Sequence, residues 1–408
     1  MAYVSKFITY IFILFVAKST SAGTRYDPNW ASIDSRPLPT WYDEGKIGIF
    51  INWGVYSVPS FNNEWFWYRW KGPKKTPEIV EFMEKNYRPD FQYQDFAEML
   101  TAEFYNPKEW VEVFKASGAK YVINGYINTD VIYLFIYLFI YFWGWAILKL
   151  GSSFLSSTLC IQQSTMKVTP CIHLMYHGIG TQWMSDQTEI YLLSCKYKTI
   201  YERRSVYIAL FQRKTMPELY EIVNRYKPDV IWSDGDWEAP DVYWNSTEFI
   251  AWLYNDSPVK ETVVTNDRWG GGIICHHGGF MTCSDRYNPG VLQKRKWENA
   301  MTIDKYSWGF RREAKLEDFF TIEDLIALVI KTVSCGGNIL INIGPTHDGR
   351  IVPIYEERLR QLGAWLSVNG EGIYQSKPWT YQNDSVTPDI WYTSKKTESS
   401  INVFDWLP

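Results

Sequence analysis

Short apolar runs of strand length alternate with amphipathic helical patterns along this chain, and that alternation confines it to the α/β class. Gly48-Ile49-Phe50-Ile51-Asn52-Trp53-Gly54 is the first such run, and it leads into the polar-aromatic loop Asn62-Asn63-Glu64-Trp65-Phe66-Trp67-Tyr68. An uninterrupted apolar run is what a strand buried on both faces of a parallel sheet requires. Helical patterns follow over Pro77 to Tyr87, Phe96 to Leu100 and Pro107 to Ser117, the last stopped by Gly118, and Ala119 to Ile123 reads as the next strand. After an atypical middle, Thr215 caps a helix that runs to Tyr226 with Pro217 near its start. Then come a strand at Val230-Ile231-Trp232, a helix at Thr247 to Tyr254, a strand at Thr262 to Thr265 leading into Asn266-Asp267-Arg268-Trp269-Gly270, a helix at Thr321 to Val333, and a strand at Asn338 to Ile343 closed by Gly344-Pro345. Alternation over roughly 300 residues implies a (β/α)8-like barrel. From Trp379 the pattern turns β-rich, in Ile390-Trp391-Tyr392-Thr393 and Ile401-Asn402-Val403-Phe404, the expected start of a C-terminal β domain truncated at Pro408.

In such a barrel chemistry gathers at the carboxyl ends of the strands. Lys227-Pro228 closes a helix, Val230 to Trp232 is a strand, and Asp234 follows at once, before a permissive glycine. Asp234 therefore stands where a catalytic carboxylate belongs, although a cap or turn Asp would look the same in sequence. Trp232, two residues earlier, faces the same side of its strand. Aromatic residues make up 18% of the chain, with 21 Trp and 29 Tyr. Aromatic faces stack on the apolar faces of sugars, so the surplus fits a carbohydrate site even though most of these rings belong to the core. A net charge of -4 leaves no basic face to neutralise phosphates, which excludes a nucleic-acid partner.

Residues 1–22 have the plan of a secretory signal peptide: Lys6, an almost wholly apolar Phe7 to Ala17, then Ser19-Thr20-Ser21-Ala22. Sequons at Asn245, Asn255 and Asn383 agree with passage through the secretory pathway, to a lysosomal or extracellular destination, the second weakened by Pro258. Of six cysteines, Cys275 and Cys283 are placed for a local bridge around Gly278-Gly279. His276-His277 lacks a second ligand pair at zinc spacing, so no metal is expected.

Ile132 to Tyr141 reads I-Y-L-F-I-Y-L-F-I-Y, which the tetranucleotide ATTT encodes when read through. Val131 to Leu148 is 18 residues without a charge, long enough for a membrane span in isolation. Inside a barrel it would interrupt strands that must close one sheet, so residues 124–212 are read as intron-derived and no membrane is expected. Cys160, Cys171 and Cys195 lie in that stretch. The expected division is a signal peptide at 1–22, a barrel at 23–375 and the start of a β domain at 376–408.

Several segments together resemble the α-L-fucosidases of glycoside hydrolase family 29, the animal lysosomal and secreted type. They are Gly48 to Pro59 with Glu64-Trp65, Lys214 to Asn245 including Trp232-Ser233-Asp234-Gly235, Val264 to Gly270, Cys275-His276-His277-Gly278-Gly279, Lys296-Trp297-Glu298, Ser307-Trp308-Gly309 and Gly336 to Pro345. The resemblance implies a barrel followed by a β-sandwich, no cofactor, and retaining hydrolysis of terminal α-L-fucose from fucosylated glycans, with a homo-oligomer as one possible assembly. It makes Asp234 the nucleophile. Two residues match acid/base positions, Glu298 and Asp285. Glu298, between Trp297 and Asn299, is preferred for its apolar setting, which raises a carboxyl pKa, whereas Asp285 beside Arg286 is expected to stay ionised. Glu64, Trp65 and Trp232 match substrate contacts, with Arg268 a further candidate.

The chain also departs from the family pattern. Asn52 stands where the family carries His, and Asn124-Gly125-Tyr126 replaces a His-His-Glu-Gly run, so sugar-binding imidazoles and one barrel strand are missing. A carbohydrate-binding pseudoenzyme that keeps Asp234, Glu64 and Trp232 is the alternative reading.

Overall fold

The computed structural model describes residues 24–73, 75–125, 145–149, 215–396 and 401–406. The expected signal peptide, the Ile132 to Tyr141 repeat, and Cys160, Cys171 and Cys195 lie outside the described residues. Seven strands, β1 (Ile47–Ile51), β2 (Tyr121–Gly125), β3 (Trp145–Lys149), β4 (Val230–Trp232), β5 (Val264–Thr265), β6 (Trp297–Thr302) and β7 (Gly337–Ile343), form one sheet in the order β5-β4-β3-β2-β1-β7-β6. All run the same way except β3, which is antiparallel to both neighbours.

The sheet closes on itself through a short stave that no apolar run announced. Phe280 N donates to the Thr265 carbonyl at 2.9 Å, Met281 N to Lys296 O at 2.8 Å, and Glu298 N to Met281 O at 2.8 Å. Residues Phe280 to Thr282 thus bridge β5 and β6, and with them the barrel has eight staves. The place of the missing strand, between β2 and β4, is taken by β3 from within the anomalous stretch.

The period of two along each strand divides inside from outside. Ile47, Ile49 and Ile51 of β1 and Ile339, Ile341 and Ile343 of β7 pack outward with Met301 of β6. Phe50, Tyr121, Ile123, Val230, Trp232, Val264, Phe280, Ala300 and Leu340 fill the interior. Three more interior positions are polar: Glu298, Asn338 and Asn342 alternate with Ala300 and Leu340. That polarity breaks the all-apolar signature of a parallel strand, and it explains why β6 was not anticipated.

The helices are α1 (Trp30–Ile33), α2 (Thr40–Gly45), α3 (Phe66–Lys71), α4 (Pro77–Asn86), α5 (Pro107–Ala116), α6 (Thr215–Tyr226), α7 (Asp241–Trp244), α8 (Ser246–Asn255), α9 (Ile322–Ser334) and α10 (Pro353–Asn369). Phe96 to Leu100, expected as an α-helix, belongs to a 3-10 segment, Tyr93–Met99. Helix α9 starts on a capping box, in which Asp324 N donates to Thr321 Oγ1 at 3.2 Å and Thr321 N to Asp324 Oδ2 at 3.3 Å. Leu325, Val329, Ile330 and Val333 of α9 and Tyr355, Leu359, Leu362 and Leu366 of α10 cover the outward isoleucines. Helices α6 and α8 form a second outer cluster against Ile231. Among the described residues no helix is long and apolar enough to cross a membrane.

Beyond the barrel, β8 (Lys377–Asn383), β9 (Trp391–Lys396) and β10 (Ile401–Trp406) form an antiparallel sheet in the order β10-β9-β8. Trp406 ties it to the barrel layer: its ring lies 5.5 Å from that of Trp365 on α10, and its Nε1 donates to Thr393 Oγ1 at 3.1 Å.

Candidate active site

Strand β4 delivers Asp234 to the open end of the barrel. Gly235 follows at φ 83°, a left-handed conformation that suits glycine and lets the chain turn at once into Asp236. Arg268, three residues past β5, reaches the same place. Its Nη1 donates to Asp234 Oδ1 at 2.9 Å and its Nη2 to Asp285 Oδ1 at 2.7 Å. The Arg268 side chain is 5% exposed, while the Asp234 and Asp285 side chains are 25% and 50% exposed. A buried fork therefore holds two carboxylates that both face an opening.

The charges around this fork are strongly coupled. Burial pushes the Asp234 carboxyl up, Arg268 opposes that, and Asp285 adds repulsion. Burial works against the Arg268 charge, but Asp234 and Asp285 outweigh it and keep the guanidinium protonated. Asp236, buried beside them, is lifted to about 6 by desolvation, with Asp234 adding to the rise and Arg268 resisting it.

Sequence reasoning named Arg268 but missed what aims it. Arg268 Nε donates to Thr282 Oγ1 at 3.0 Å, and Thr282 is in turn held by Asp267, whose Oδ1 accepts from Thr282 Oγ1 at 2.6 Å and from Thr282 N at 2.9 Å. Asp267 Oδ2 also accepts from Cys275 N at 2.7 Å and Cys283 N at 3.2 Å, the two ends of a loop closed by a Cys275–Cys283 disulfide. Asp267 is fully buried and acts as the hub of the loop that carries Asp285. The run Asn266-Asp267-Arg268 at a strand end was the available signal.

Glu64 and Trp65 come from the loop after β1. Glu64 Oε2 accepts from Trp308 N at 2.9 Å, Ser307 Oγ at 3.1 Å and Gly309 N at 3.4 Å, so it clamps the segment after β6 to the loop after β1. Burial raises its pKa, and these donors oppose the rise. Trp65 packs edge-on against Tyr68, with centroids 6.1 Å apart. Asn52, buried just past β1, donates through Nδ2 to Asn342 Oδ1 at 2.8 Å, and Asn342 Nδ2 donates to the Trp308 carbonyl at 2.7 Å.

Glu298, the preferred acid/base, stands at the other end of the barrel from Asp234. It is the second residue of β6 and pairs with Asn338, the second residue of β7, so it belongs to the amino end of the barrel, whereas Asp234 follows the carboxyl end of β4. Glu298 is 0% exposed, and both its oxygens are engaged: Oε2 accepts from Tyr42 OH at 2.7 Å and Tyr121 OH at 2.8 Å, and Oε1 from Trp232 Nε1 at 3.0 Å. Burial raises its pKa as anticipated, with the three donors opposing. Trp232 is itself 2% exposed, its ring 4.7 Å from the Arg268 guanidinium carbon.

The sequons differ in what they offer. Asn383 is exposed at the end of β8 and Asn245 is half-buried between α7 and α8. Asn255 is engaged through both side-chain atoms, accepting from Tyr26 N at 2.9 Å and donating to Tyr26 O at 2.8 Å. His277 Nδ1 pairs with Asp34 Oδ2 at 2.8 Å, and its ring stacks on Trp30.

A family model described as Alpha-L-fucosidase matches residues 13–127 and 155–371, and the match breaks over the stretch that contains the tetrapeptide repeat. The α-L-fucosidase of Branchiostoma floridae is 52% identical over 391 residues, covering 94% of this chain and 82% of the relative. The plasma α-L-fucosidase of Homo sapiens is 50% identical over 383 residues, covering 93% and 78%. Among solved structures, the α-fucosidase of Thermotoga maritima superposes with a TM-score of 0.64 at 26% identity, covering 93% of this chain and 85% of that one. A structure of that enzyme in complex with fucose gives 0.61 at 26% identity, covering 91% and 84%.

Proposed function

This chain belongs to the α-L-fucosidase family, glycoside hydrolases that release α-L-fucose, and from that premise we propose that Asp234 and Asp285 are the two carboxyl groups of a retaining cleavage. The observation that carries the reading is the single Arg268 fork between them. One guanidinium donating to both carboxylates brings them to the same place, as the about 5 Å separation of retaining enzymes requires. Asp234 attacks the anomeric carbon as the glycosidic C–O bond breaks, and Asp285 gives its proton to the leaving oxygen. Water then loses a proton to Asp285 while its oxygen displaces Asp234 from the sugar. The half-open Asp285 is accessible to a leaving group and to water, as an acid/base must be, and Asp234 is the more enclosed of the two.

The substrate under this reading is a terminal α-L-fucose on a glycan, bound beside Asp234 and Asp285, with Glu64, Trp65 and Arg268 as proposed contacts and Trp232, closed to solvent, packed behind Arg268. The Cys275–Cys283 bridge and the accessible Asn383 support folding in an oxidising, glycosylating compartment, in keeping with relatives named plasma and tissue α-L-fucosidase. Asn383 and Asn245 are the proposed glycan sites, and Asn255 is not. Residues 124–212 remain the proposed foreign stretch, and the family match breaks within it, over 128–154.

Hydrolysis of an aryl α-L-fucoside tests the assignment. Asp234→Ala abolishes turnover, and Asp285→Ala lowers kcat by roughly 10²- to 10⁴-fold, the usual worth of a general acid–base, with azide restoring turnover and giving a fucosyl azide. Azide rescue of Glu298→Ala in place of Asp285→Ala would sink the assignment. The pseudoenzyme reading draws on Asn52, whose amide is committed to Asn342. An unsubstituted chain that binds fucose and hydrolyses nothing would establish it.

A further inference from the structure

We propose that Glu298 is a positioning residue that sets the alignment of the two site carboxylates from the far end of the barrel, through Trp232 and Arg268. The inference rests on the Asp234–Asp285 reading. Its basis is an unbroken run of contacts. Tyr42, on α2, and Tyr121, the first residue of β2, donate to one oxygen of Glu298 at 2.7 and 2.8 Å, and Trp232 Nε1 donates to the other at 3.0 Å. The Trp232 ring lies 4.7 Å from the guanidinium carbon of Arg268, which holds Asp234 at 2.9 Å and Asp285 at 2.7 Å. Every link inside the barrel is closed to solvent: Tyr42, Tyr121 and Glu298 are 0%, Trp232 2% and Arg268 5% exposed.

Each link has a physical consequence. A carboxylate accepting from the indole N–H fixes the tilt of the Trp232 ring and adds electron density to its face. A richer, fixed face attracts the cation more strongly in a water-free interior, so the guanidinium is held at a defined height over the ring. Because Arg268 is planar and forked, a change of that height or tilt moves both carboxylates together. The floor that holds Glu298 is itself anchored. Asn338 Nδ2 donates to the Tyr42 carbonyl at 2.7 Å, and Lys296, two residues before Glu298, reaches Asp43 at 2.6 Å. Glu298 thus touches no substrate, and its influence is geometric.

The test compares Glu298→Gln, Trp232→Phe and the double variant by kinetics and by crystal structure. Glu298→Gln keeps the shape but offers one acceptor fewer, and Trp232→Phe keeps a ring and removes the N–H. Each single change is expected to lower kcat by roughly 10- to 100-fold, the cost of misplacing reacting groups by about 1 Å. The loss is the same for aryl α-L-fucosides with good and poor leaving groups, azide does not rescue it, and the double variant is no worse than either single one. In crystals of Glu298→Gln the Arg268 fork departs from the bridging geometry. A loss confined to poor leaving groups, an additive double variant, or an unmoved fork with unchanged kcat each overturns the inference. If the unsubstituted chain hydrolyses no fucoside, the catalytic reading fails by itself. The crystal structure of Glu298→Gln then decides whether Glu298 sets the fork.

Discussion

Gly48 is the point where side-chain size decides whether the barrel closes. A Cβ at this position would lie 2.2 Å from the Tyr121 ring, whose hydroxyl holds Glu298. Gly48→Ala is therefore expected to cost about 1–3 kcal/mol by overpacking, read from the urea midpoint, and an unchanged midpoint would mean that the ring moves freely. Asp236 makes a second residue-scale case. Its folded pKa of about 6 lies above the ordinary aspartate value of 3.8, so the folded state binds the proton more tightly. The favourable contribution is present below about pH 4 and is lost as pH rises through 6. Asp236→Asn should thus stabilise the protein at pH 7.5, by at most about 3 kcal/mol, and do nothing at pH 3.5. Thermal melts at the two pH values check this, and equal gains at both would refute it. At this scale the sequence singled out Asp234 because it is the first carboxylate past an apolar strand. The preference for Glu298 leaned on Trp297, but neighbours along a strand point to opposite sides: Trp297 packs outward with Met281 and Cys335, so it is not the environment of Glu298. Asp285 gains its meaning from Arg268, 17 residues away, a partner that no local window contains.

The loop between β5 and β6 works as one element. Its disulfide joins residues 8 apart, and Asp267 binds both cysteine amides and Thr282. Chain entropy for a ring of this size gives about 2.5 kcal/mol of stabilisation. Replacing Cys275 and Cys283 by Ser is expected to lower stability by about that amount and to lower kcat/KM as well, since Thr282 aims Arg268 and Asp285 lies two residues past Cys283. Denaturant midpoints and fucoside kinetics with and without reductant measure both effects, and activity indifferent to reductant would separate the loop from the site. The cysteine pair was legible from its spacing, whereas the closing stave at Phe280 to Thr282 was not, being too short to show a period. Helix α10 was passed over although Tyr355, Leu359, Leu362 and Leu366 recur at helical spacing and Pro353 opens it.

Across the whole molecule the barrel is stitched unevenly, and a thin seam lies beside Asp234. Strand β1 pairs with β7 over five residues and β6 with β7 over six, but β3 meets β4 over two, Trp145 with Trp232 and Ala146 with Ile231. Strand β4 is joined to β5 over two as well. The alternation of strands and helices made the barrel readable, but it could not show how the gap left by the family's own strand would be filled. An antiparallel strand in that gap breaks the run of parallel neighbours, and the family match breaks across it. Local opening follows the weakest set of contacts, so backbone amides of Val230 to Trp232 should exchange with deuterium faster than those of Gly337 to Ile343. Mass spectrometry of peptides covering the two strands reads the difference directly. Faster exchange in β4 would also loosen Asp234, and bound fucose should slow it by linking β4 to Arg268 and the loop after β6. Equal protection of β4 and β7 without ligand would mean that β3 seals the barrel as firmly as a parallel strand.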